Sequence, residues 1–61
     1  MKNLDFIKAM EAEVEKLQAE YTEIIRDMRK NGFDWEKDGR RAQLDHTISA
    51  LNIAIKEYNR L

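Results

Sequence analysis

Apolar residues recur along the first half of the chain at Ile7, Met10, Val14, Leu17, Tyr21, Ile24 and Met28, at spacings that alternate between three and four. That alternation is a heptad seam, the stripe that keeps one face of an α-helix turned toward a partner helix. The second half repeats it at Leu44, Ile48, Leu51, Ile55 and Tyr58, and counting back by the same rule brings Arg41 and Lys37 into the stripe. Between the halves, Asn31, Gly32, Phe33 and Asp34 form the one strong cluster of helix breakers. The pattern predicts an all-α fold, an antiparallel two-helix coiled-coil hairpin. Helix 1 is expected over residues 3–31, the turn at 32–34 and helix 2 over 35–60, all in one domain.

Running one seam forward and the other backward pairs Met28 with Lys37, Ile24 with Arg41, Tyr21 with Leu44, Leu17 with Ile48, Val14 with Leu51, Met10 with Ile55 and Ile7 with Tyr58. The midpoint falls between Gly32 and Phe33, inside the breaker cluster. Turn chemistry agrees. Gly32 suits the left-handed conformation that ends a helix, with Phe33 then packing back on Met28. Asp34 is placed to cap helix 2, and Glu36 follows at the positive end of its dipole.

A pair of helices buries one stripe on each, which leaves the flanks of the seam to be assigned. One flank, the heptad g positions, carries Phe6, Glu13, Glu20 and Asp27 on helix 1 and Arg40, Thr47, Ala54 and Leu61 on helix 2. Across an antiparallel pair Phe6 is expected to face Leu61, Glu20 to face Thr47 and Asp27 to face Arg40. Its apolar end, with Ala9, Ala50 and Ile53 alongside, suggests a self-association face of Phe6, Ala9, Ala50, Ile53, Ala54 and Leu61, and hence a homodimer forming a four-helix bundle. The bland alternative is that alanines are simply good helix formers and the terminal residues are solvated. The other flank, the e positions, carries Leu4 and Ile25 among Glu11, Gln18, Asp38, Asp45, Asn52 and Asn59, and reads as solvated.

Composition sharpens this picture. The chain has 61 residues, 43 % of them hydrophobic, with no Cys and no Pro. Below roughly 70 to 80 residues a single core rarely supplies more than about 3 to 5 kcal/mol, so a disulfide, a metal or another chain is usually needed. Disulfides are excluded, and one His provides no metal site of the usual Cys and His kind. Association remains. No run of about 18 apolar residues is present and no signal-peptide pattern opens the chain, so a soluble cytoplasmic protein is expected, with no membrane partner.

Net charge is −1, unevenly spread. Arg26, Arg29, Lys30, Lys37, Arg40 and Arg41 cluster around the turn, where Phe33 and Trp35 also lie. These eight residues form a candidate partner face. Bases near an aromatic pair suit a nucleic-acid backbone, whereas Asp27, Asp34, Glu36 and Asp38 among them suit local neutralisation instead. Trp35 is either an anchor for a partner or a lid folded over the turn. Gly39 admits two readings as well, a point of close approach or a later start of helix 2 capped by Asp38.

Enzyme chemistry finds no footing. His46 falls on an outer face without a second His, Gln43 occupies the place where a diiron-type bundle needs Glu, and no Gly-rich phosphate loop occurs. No cofactor is expected. In length and heptads the plan is similar to that of the plasmid-encoded RNA-binding dimers built from two helical hairpins, although none of that family's residues can be placed here. Hairpins of type VII secretion carry Trp-x-Gly at the turn, where this chain has Trp35, Glu36 and Lys37. The expected function is a small non-enzymatic interaction module that binds and inhibits or redirects a larger protein, of the kind phages and mobile elements encode. A nucleic-acid-binding dimer and a purely structural coiled coil are the alternatives.

Overall fold

The computed structural model describes residues 4–60, which fold into two α-helices, α1 (Leu4–Asn31) and α2 (Trp35–Arg60), with no strand among the described residues. They lie side by side as a hairpin 48 Å long and 14 × 12 Å in section. Neither helix contains Pro, and the charges at their ends complement the backbone dipole. Arg29 and Lys30 sit in the last turn of α1, and Glu36 and Asp38 in the first turn of α2.

The turn is built as its chemistry requires. Gly32 has φ of 99°, the one left-handed residue of the described chain, and its N–H donates to the Met28 carbonyl at 2.9 Å to close the last turn of α1. On the other side, Asp34 caps α2. Its Oδ1 accepts the Lys37 N–H at 3.0 Å and its carbonyl accepts the Asp38 N–H at 2.9 Å. Helix α2 therefore starts at Trp35, and Gly39 lies within it rather than before it; a Cβ there would meet nothing within 4 Å.

The seam packs in the expected antiparallel sense. Leu17, Leu44 and Ile48 form its buried centre, with Val14, Tyr21, Ile24 and Leu51 packed around them. Ile7 and Met10 are buried closer to the chain ends. Among the described residues only Leu44, at 1 % exposure, is fully enclosed. The other seam residues are half-buried, apart from Tyr58 and Lys37, which are exposed.

Candidate interaction surfaces

Lys37 and Arg41 enter the seam by their heptad positions, yet a cation left in an apolar stripe without a partner is costly. Each resolves this by finding a carboxylate partner. Lys37 turns outward and donates to Asp27. Asp27 is thereby taken, so the expected Asp27 to Arg40 contact does not form, and Arg40 extends along the flank to Glu20 instead. Its Nε and Nη2 donate to the two Glu20 oxygens at 2.7 and 3.0 Å, a fork-to-fork pair. Arg41 stays half-buried at the edge, donating to Asp38 at 2.8 Å with the Tyr21 side chain beside it.

These pairs set the electrostatics of the turn half. The hydrogen bond from Arg40 holds the Glu20 carboxyl below its ordinary value of 4.5. Hydrogen bonds from Lys37, and then from Asn31, hold Asp27 below 3.8. A carboxylate whose pKa is lowered by folding contributes stability above its unfolded value and loses it as pH falls through the folded one. The melting temperature is therefore expected to be level near neutrality and to drop below about pH 4.5 as these groups protonate. Calorimetry on the wild type and on the Glu20→Gln, Asp27→Asn double variant checks this, since the variant should lose much of that acid sensitivity.

Of the six bases at the turn end, four are engaged. Arg26 donates to Glu23 at 2.6 Å, and Lys37, Arg40 and Arg41 are paired as above; Arg29 and Lys30 have no ion pair among the described residues. Phe33 does not bury itself against α1. It stays 61 % exposed and meets Trp35 edge to face, ring centroids 4.8 Å apart at 89°. Trp35 is 82 % exposed, so it closes nothing over the turn. The tip of the hairpin thus presents two aromatic rings to solvent.

In the terminal patch Phe6, Ala9, Ala50 and Ile53 are exposed, Phe6 lying against the Tyr58 ring at 5.0 Å, and Ala54 is half-buried. Leu61 lies outside the described residues. The chain matches no known protein family, no curated protein and no solved structure.

The flank that reads as solvated holds two adjoining depressions, and a third of about 460 Å³ lies on α2 beside Gly39, Arg40 and Thr47. A groove of about 650 Å³ runs over Val14 and Ile55 between Gln18, Ala19, Thr22 and Asn52. It continues past Gln18 and Thr22 into a second of about 280 Å³ beside Tyr21 and Ile25, rimmed by Arg26 and Arg29. The signal for it lay in side-chain reach. Gln18, Ala19 and Asn52 are too short to cover the seam residues beside them, whereas Arg40 and Lys37 span the opposite flank. Among the described residues no group of three or more His, Cys, Asp or Glu is placed to hold a metal ion, and no helix is long and apolar enough to cross a membrane.

Proposed function

We propose that this hairpin is a non-enzymatic protein-interaction module that works as a homodimer and binds a larger protein through its tip, inhibiting or redirecting it. The observation that carries the reading is the exposed Trp35 and Phe33 pair. Trp is the residue most enriched among interface hot spots, and two rings already held edge to face lose little freedom on docking. Self-association is supported by the thinness of the core, in which only five apolar side chains are buried among the described residues. The size and slight acidity of the chain fit small proteins of phages and mobile elements, and a cytoplasmic setting suits that role. A phosphate-backbone partner has less in its favour, because of the six turn-end bases only Arg29 and Lys30 have no ion pair among the described residues, and two cations give a weak footprint.

Trp35→Ala is the test. It should leave helicity and oligomer mass unchanged while proteins retained by the wild-type chain in an affinity capture drop at least about tenfold, the scale of a hot-spot truncation. A loss of helicity on that substitution would place Trp35 in the fold instead, and unchanged retention would remove the tip from the partner surface.

A further inference from the structure

The two flanks of the seam differ in kind. On one, Glu20 with Arg40 and Asp27 with Lys37 bridge α1 to α2 over the buried Leu17 and Leu44. On the other, Val14, Tyr21 and Ile55 remain half-buried beneath a groove that no ion pair spans among the described residues. The geometry points to this open flank as the homodimer contact, occupied by a second copy of the chain laid antiparallel, α1 upon α1. The inference rests on the self-association proposed above and moves its contact from the terminal patch to the groove.

Charge complementarity selects the occupant. Glu11 and Glu15 line one end of the groove and Glu23 lies further along it, while Arg29 and Arg26, the latter paired with Glu23, rim the other end. A copy turned end for end about a two-fold axis beside Gln18 and Thr22 sets Glu11 against the copy's Arg29 and Glu15 against its Arg26, which is then shared with that copy's Glu23. Symmetry then makes each contact twice. The residues concerned also share a second heptad stripe on α1, through Glu11, Glu15, Gln18, Thr22, Ile25 and Arg29, spaced four and three. At its centre Ala19 and Thr22 are small enough to let the two helices approach closely. A copy laid with both turns at one end would instead set Glu11 and Glu15 over the uncharged Asn52 and Ser49.

The arrangement is tested by two charge-reversed chains. Glu11→Arg with Glu15→Arg leaves only bases at the four positions, and Arg26→Glu with Arg29→Glu leaves only acids. By sedimentation, each alone is expected to dimerise at least tenfold more weakly than the wild type, while an equimolar mixture recovers a dimer of twice the chain mass. Should a reversed chain lose helicity, Ala19→Arg gives the same reading from the two-fold axis, dissociating the dimer with the helices kept. If the wild type dimerises and neither the mixture recovers nor Ala19→Arg dissociates it, the groove is not the contact. Dissociation by Ile53→Arg would then return the contact to the terminal patch with self-association intact. A wild-type chain that stays monomeric at millimolar concentration overturns the groove and the homodimer together.

Discussion

Leu44→Ala is expected to unfold the hairpin at micromolar concentration. Among the described residues Leu44 is the one fully enclosed side chain, set between Leu17 and Ile48 with Tyr21 opposite it in the antiparallel register. Truncating a buried Leu costs about 2 to 5 kcal/mol, according to how far the surroundings collapse into the space. Two helices held along one stripe have little room to collapse without losing register. The loss therefore falls toward the upper end of that range and is comparable to the roughly 3 to 5 kcal/mol that a core of this size supplies. Far-UV circular dichroism against temperature is the measurement, with Leu51→Ala as the comparison, since half-buried Leu51 has less to lose. Association adds a second readout: if folding and dimerisation are coupled, helicity of the Leu44→Ala chain should recover as concentration rises, by mass action. A variant that melts like the wild type would mean that the centre of the core lies elsewhere.

Gly32→Ala is the second large effect, and it acts through the backbone alone. A Cβ at Gly32 would meet no atom within 4 Å, so nothing clashes; the cost lies in φ of 99°, which L-residues avoid. Left-handed backbone costs a residue with a side chain about 1 to 2 kcal/mol. For a chain of this size each kcal/mol corresponds to roughly 4 to 8 °C in melting temperature. Gly32→Asn should lose less, because Asn tolerates the left-handed region better than Ala. An unchanged melting temperature for Gly32→Ala would show that the turn relaxes to another conformation at no cost. The contrast with Gly39 is informative, because that glycine is helical and equally uncrowded, and no left-handed backbone calls for it.

What was legible in the sequence was local or periodic. The seam from Ile7 to Met28 and its counterpart from Leu44 follow from a repeat that one helix imposes on every turn, and Gly32 and Asp34 act within three or four residues of themselves. Partner choice among long side chains was not legible, because it depends on competition. Once Lys37 leaves the seam for Asp27, Arg40 must reach Glu20, and heptad letters carry no record of that order of preference. The open flank was missed for a related reason. Hydropathy marks Gln18, Asn52 and Asp45 as polar and therefore solvated, yet whether a flank is covered depends on how far its side chains extend over the seam. For Trp35 the sequence left anchor and lid equally open, and the ring's exposure decides only against the lid.

That exposure also governs what the chain's own fluorescence can report. Trp35 is the sole tryptophan, and it sits on the tip, away from Leu17, Leu44 and Ile48. Indole emission follows solvent contact, and this indole is nearly as wet in the folded hairpin as in an unfolded chain. Its spectrum is therefore almost blind to melting, while any surface that closes over the tip must shift it to the blue. The protein carries a built-in optical probe of docking that stays quiet while it folds.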